Sequence, residues 1–269
     1  MLALSSWSEL TVGQYIPGNS LIHRIDPRMK IAAGVLLSVT IFLVREFAAY
    51  PALAAYIVLV AWLARIPVIY LWRGIRPLAP LILITAIIHV FFTPGRVIWS
   101  LGFLSVSHEG ILEASRMALR LVLLLSGISL VTLTTSPLTL TDGLEKLLTP
   151  FRRLGVPAHE LAMMMTIALR FMPTLMEELD RLVKAQMARG AEFEQGGLIR
   201  RLRNLIPLLV PLFTGVFRRA EDLALAMESR AYRGGEGRTR LRQLVIGPAD
   251  VAALAVTLAV VGVSVALWR

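Results

Sequence analysis

The chain has 269 residues, 56% of them hydrophobic and only 17% charged, with a mean hydropathy of +0.69. A soluble domain is about 45–50% apolar and about 25% charged, so an ordinary soluble fold is excluded and the bilayer is the first solvent to consider. The net charge of +10 would suggest nucleic acid in a soluble protein, but in a membrane protein such an excess belongs to cytoplasmic loops, and no nucleic-acid partner is expected. The absence of Cys excludes disulfides, thiolate metal sites and Cys nucleophiles.

From the N-terminus, residues 1–18 carry neither a basic start nor a long apolar core, so no signal peptide is expected. Charge-free runs then locate the membrane spans. Ile31–Val44 has 14 residues, Phe47–Ala64 has 18, Pro77–Gly95 has 19, Leu121–Thr141 has 21 and Val251–Trp268 has 18. A span needs about 20 mostly apolar residues, with about 17 as the lower end. The first run is short, but Lys30 and Arg45 can snorkel from its ends. Five spans are the economical count.

Orientation follows from the basic residues. Those before span one, those between spans two and three, and those of the segment Pro137–Arg242 make up 23 of the 28. Five spans place all three regions on one side, so the N-terminus is expected in the cytoplasm and the C-terminus outside. Arg116 and Arg120 lie four apart near the start of span four, with Glu113 three residues before. Ionisable groups at that depth flag function by default, yet an interfacial helix turn with one ion pair is the simpler reading.

About a hundred residues separate spans four and five. They parse into an amphipathic helix, Asp142–Leu154, and two long helices, Ala158–Arg189 and Gly197–Arg233. Each long helix follows one plan. A Pro-containing apolar half (Leu161–Met176, then Asn204–Phe217) gives way to a charged half, and that to a tail of small residues and Met. The apolar halves are too short to span, so interfacial or re-entrant packing is expected. Glu177 with Arg181 and Asp180 with Lys184 are i, i+4 pairs of a solvated face. The tails end in Ala188-Arg189-Gly190 and Ser229-Arg230-Ala231. A lone Arg near a helix C-terminus ordinarily complements the macrodipole. Two such tips, each flanked by small residues that admit a partner backbone, favour a bivalent docking element that fits acidic grooves.

At these residues the sequence resembles the T component of energy-coupling factor (ECF) transporters, the transmembrane coupling subunit of a group of ABC importers. The likeness runs from Gly18 through Asp26-Pro27-Arg28-Met29-Lys30, then Ala168–Pro173 and Ala185–Gly190, to Met227–Tyr232. Ala188-Arg189-Gly190 fits the family form, and Ser229-Arg230-Ala231 keeps the central Arg. The resemblance implies an all-α integral membrane protein with about five transmembrane helices and a cytoplasmic coupling domain of long helices. Its parts would be an N-terminal membrane region at 1–136, coupling helices at 137–243 and a last span at 244–269. It further implies a bacterial or archaeal cell membrane, two ECF-type ATPase subunits docked on the two Arg motifs, and a small substrate-binding membrane subunit. Vitamins or transition metals would be the cargo. No catalysis and no cofactor are expected of this chain.

The absences agree. The sequence contains no GxxxxGK[ST], HExxH or GxSxG pattern. His23, His89, His108 and His159 lack ligand spacing, and Met163-Met164-Met165 points three ways on a helix. The residues alone leave rivals. A membrane enzyme would need clustered Asp, His or Ser, yet spans one to three hold no acid but Glu46. A stand-alone transporter would need repeats and a midplane polar site. A protein whose basic helices bind membrane lipid or a regulator is the third.

Overall fold

A computed structural model of the chain describes residues 15–44, 46–101, 104–191, 197–234 and 245–267. The order is α1 (Leu21–Arg24), α2 (Pro27–Leu43), α3 (Tyr50–Ala64), α4 (Val68–Ile75), α5 (Ala79–Phe92), β1 (Val97–Leu101), β2 (Leu104–Ser107), α6 (His108–Thr134), α7 (Pro137–Leu148), α8 (Ala158–Ala188), α9 (Leu198–Ser229) and α10 (Pro248–Ala266). The protein is an all-α membrane protein. Among the described residues, four helical segments are long and apolar enough to cross a bilayer: Phe47–Ala64, Val68–Phe92, His108–Thr134 and Pro248–Ala266. With the 17 residues of α2, at the lower limit for a span, the count is about five.

The chain divides into two compact units. One is built from residues within Gly13–Leu147 and Arg242–Arg269, the other from residues within Leu148–Leu241. In the first, the membrane unit, α3 buries Tyr50, Leu53, Ile57, Ala61 and Ala64, a stripe at helical spacing. It packs with Leu37 and Ile41 of α2 and with Leu123, Leu124, Leu130 and Leu133 of α6. Close helix contact relies on small residues, because lipid supplies no hydrophobic drive between spans. A Cβ on Gly127 of α6 would stand 3.1 Å from Leu37, and one on Gly34 of α2 would stand 3.2 Å from Val131. These two glycines seat α2 and α6 on each other. The Val68–Phe92 segment is the peripheral one, with 6% of its apolar window buried against 39% for α6. A short 3-10 turn, Arg76–Leu78, interrupts it at Pro77, where the chain lacks an N–H to continue the ladder.

Several features differ from the sequence expectation: the helix expected over Asp142–Leu154 is an α-helix from Pro137 to Leu148 followed by a 3-10 stretch, Thr149–Leu154. Span four begins well before Leu121, because the helix runs from His108, where the Ser107 hydroxyl caps it by accepting the Gly110 N–H at 2.9 Å. The stretch between α5 and α6 forms an antiparallel hairpin, β1 with β2. Its alternation is too short to stand out against the long apolar runs beside it.

The second unit holds α8 and α9, 31 and 32 residues long, and both stay helical through Pro173, Pro207 and Pro211. They meet where Gly215 leaves room for Glu178: a Cβ there would be 2.8 Å from the carboxylate. The Glu178 carboxylate also pairs with Arg219 at 2.6 Å. The exposed pair Glu177 with Arg181, at 3.9 Å, and the pair Asp180 with Lys184 run along the solvated face of α8. Exposed pairs like these contribute little stability.

Candidate functional site

The two arginine motifs occupy the same place in two identical helix endings. In α8, Ala188 is the last helical residue, Arg189 is the C-cap and Gly190 takes the left-handed conformation, φ +86°. The N–H of Ala191 donates to Gln186 C=O at 2.9 Å and that of Gly190 to Met187 C=O at 2.9 Å. In α9 the equivalents are Ser229, Arg230 and Ala231, with φ +53° at Ala231. The N–H of Tyr232 donates to Met227 C=O at 3.0 Å and that of Ala231 to Glu228 C=O at 2.8 Å. Both are Schellman endings, in which bonds from the two residues after the cap satisfy the last carbonyls. The three-residue motif is therefore a helix-stop signal with Arg at its centre. Its third position calls for glycine because an L side chain is strained there, and Ala231 bears that strain. With Arg65, it is one of two non-glycine residues at positive φ among the described residues.

Backbone N–H groups already satisfy Gln186 and Met187 C=O at one tip and Met227 and Glu228 C=O at the other, and neither arginine side chain bonds to its own helix end. Arg189 and Arg230 are both exposed, and neither guanidinium bonds to any described residue. Their flanks, Ala188, Gly190, Ser229 and Ala231, are exposed too. Each tip thus offers a planar cation with five free donors on a bare, small-residue end. Arg230 also opens on a cleft of about 430 Å³, walled by Met163 and Ile167 of α8, by Leu223 and Met227 of α9, and by Tyr232. That cleft places the α9 tip beside the first turns of α8. The α8 tip lies 22 residues beyond Ile167 in the same helix, or roughly 33 Å at 1.5 Å per residue.

The other flagged residues have partners within the chain. Arg120 donates from Nη2 to Val44 C=O at 2.9 Å, closing the end of α2. Arg116 pairs with Glu113 and lies 5.1 Å from the centre of the Phe47 ring. His23 sits between the Ser20 hydroxyl, at 2.7 Å, and Ile16 C=O, at 3.1 Å. His89 bonds to Thr85 C=O of its own helix at 2.8 Å. Among the described residues no three His, Asp or Glu come together to hold a metal.

Sequence reasoning missed Asp250. Its carboxylate, 6% exposed as a residue, accepts the N–H of Asp26 at 2.7 Å and that of Gly247 at 2.6 Å. Asp26 and Lys30 are equally buried beside it. The Asp26–Lys30 motif was the only visible half of this cluster, and nothing local to Asp250 announced the other.

The fold is that of a helical membrane protein, and its second unit carries two long helices that each end in an exposed arginine. The profile of the cobalt transport protein (CbiQ) family matches residues 18–241. A Thermosediminibacter oceani protein named energy-coupling factor transporter transmembrane protein EcfT is 56% identical over 249 residues, 93% of this chain and 94% of the relative. Proteins of the same name from Clostridium kluyveri and Listeria innocua are 49% and 48% identical; they cover 96% and 88% of this chain and 96% and 89% of their own lengths. The chain belongs to this family of ECF transporter transmembrane proteins, the T components.

Proposed function

We propose that the chain couples two P-loop ATPases to a small substrate-binding membrane subunit, importing a vitamin or a transition metal. The observation that carries this reading is the pair of matched tips, each with an exposed and unbonded Arg. An acidic groove on each ATPase would take one guanidinium, Arg189 or Arg230, with Ala188, Gly190, Ser229 and Ala231 letting its backbone come close. ATP-driven closure of the ATPases would then move α8 and α9. No ATP site is needed on this chain, since hydrolysis falls to the partners.

The apolar sides of the long helices support a membrane-embedded partner. Ile206, Val210, Phe213 and Phe217 of α9 and Met164 of α8 are all more than half exposed. Such a patch requires lipid or an apolar protein to cover it, and the substrate-binding subunit is of that chemistry. The distribution of basic residues supports a cytoplasmic N-terminus and cytoplasmic long helices, on the side where ATP is. The matching family's description names cobalt, while the names of the relatives give no cargo; cargo choice would rest with the substrate-binding subunit.

Affinity purification of the tagged chain from its native membranes tests the reading. Wild type should bring down one or two P-loop ATPases and a small hydrophobic protein. The Arg189→Glu/Arg230→Glu double variant should insert normally and lose the ATPases. Equal recovery of ATPases by that variant would sink the proposal.

A further inference from the structure

Three residues of one short segment, Asp26, Pro27 and Lys30, touch the stretches by which the chain leaves the membrane unit for α8 and returns from α9. The outgoing stretch is the end of α6 followed by α7. Lys30 Nζ donates to Thr134 C=O at 3.1 Å and to the Thr135 hydroxyl at 3.0 Å, fixing the last turn of α6. Its third bond goes to His23 C=O at 3.3 Å. Pro27 lies under α7, where Gly143 has no side chain: a Cβ there would stand 3.0 Å from the Cβ of Pro27. The returning stretch is the start of α10, where Asp250 holds the N–H of Asp26. The partners of this short segment on α6 and α10 lie more than a hundred residues away in the sequence.

The chemistry is more than packing requires. Lys30, Asp26 and Asp250 are each at least nine-tenths buried, and buried ions are often replaced by apolar residues at no loss of stability. What Lys30 does supply, with all three of its donors used, is one fixed geometry for the groups it bonds. Helix ends are otherwise the parts that yield, because their last carbonyls and first N–H groups have no partner of their own. Here the end of α6 and the beginning of α10 are both fastened to the first turn of α2. Asp26 and Asp250 against Arg28 and Lys30 also balance in charge, so the cluster needs no outside ion.

We propose that Asp26–Lys30 is the pivot of the coupling cycle, with Asp26, Pro27 and Lys30 as positioning residues that deliver movement of the long helices to α2, α6 and α10 as one body. This rests on the coupling role proposed above. A yielding pivot would let the ATPases turn over while the membrane helices stayed still. Loss at the pivot therefore separates hydrolysis from membrane motion, which a merely structural defect does not do.

The test uses the whole complex in nanodiscs, with a bimane fluorophore on Val39→Cys, an exposed position on α2 in a chain that has no other cysteine. Wild type should show a fluorescence change on MgATP with vanadate. Lys30→Met should reduce that change about tenfold, with ATPase recovery and hydrolysis maintained, and Lys30→Arg should restore most of it. Gly143→Val, which crowds Pro27 without touching a charge, should act in the same direction and decides the matter if Lys30→Met fails to assemble. An undiminished change in an assembled variant, or no change at Val39→Cys in an ATP-hydrolysing wild-type complex, would overturn the pivot and leave the coupling role standing. Failure of the wild-type chain to recover any ATPase would overturn both.

Discussion

Arg116 and Arg120 in the membrane unit are half-buried and partnered within the chain, by Glu113, the Phe47 ring and the Val44 carbonyl. Arg189 and Arg230 in the long-helix unit are exposed and bond to no described residue. In sequence each pair is two arginines on helices in an apolar chain. The difference is what remains unsatisfied. A guanidinium at membrane depth must find partners, because leaving it unpaired is costly, and once they are found it has none to spare. At a solvated tip water satisfies it cheaply, so its five donors stay free for another protein.

The sharpest break in the comparison is charge reversal at the tips. Arg189→Glu with Arg230→Glu should weaken ATPase binding by two orders of magnitude or more, about 3 kcal/mol or above, because partner carboxylates would face a like charge. Melting of the chain in detergent should not change. Each single variant should lose part of the binding and leave one ATPase attached, readable by native mass spectrometry. The membrane pair should behave in the opposite sense. Arg120→Met removes a charged donor from the end of α2 and should destabilise the membrane unit by about 1.5–3 kcal/mol. ATPase affinity per folded molecule should be unaltered. A thermal-shift series with binding titrations of all four variants distinguishes the two kinds of arginine.

How far the sequence could reach is visible in the same residues. The spans, the two long helices and the tip arginines were legible because each is a local signal: a charge-free run, a helical period, a stop motif. The partners of Arg116 and Arg120 were half legible, since Glu113 is three residues from Arg116 whereas Val44 is 76 residues from Arg120. The Asp26–Asp250 bond joins residues 224 apart, and one acid beside a Pro in a late apolar run reads as an ordinary first-turn carboxylate. The second long helix, expected to reach Arg233, stops at Ser229. Ala at the left-handed position hid the ending that Gly190 made plain in the other helix.

Arg219 of the long-helix unit is of a third kind, neither deeply buried nor free, and pairs with Glu178 where α8 and α9 meet. Both side chains are about one-third exposed, so solvent screens part of the attraction. A double-mutant cycle with Glu178→Gln and Arg219→Met should give a coupling energy of about 1 kcal/mol. Zero coupling would mean that the small contact surface at Gly215 alone holds the two helices in register.

The smallest effect concerns the third residue of each tip, and it separates how a tip is built from what it offers. Gly190 and Ala231 have left-handed backbones, φ +86° and +53°, and a Cβ on Gly190 would meet nothing within 4 Å. Gly190→Ala therefore imposes only backbone strain, about 1 kcal/mol, and should lower stability by that much in a urea titration. Ala231→Gly relieves the same strain but gives the unfolded chain more freedom, which offsets about 0.4–1 kcal/mol of the gain. Its net effect should lie between zero and about 0.5 kcal/mol of stabilisation. Neither change alters the charge or exposure of the neighbouring arginine, so ATPase binding should stay within about twofold in both. A larger loss of binding in Gly190→Ala would mean that the partner backbone packs against the bare glycine itself, and that the docking surface is the whole ending with Arg189 as one part of it.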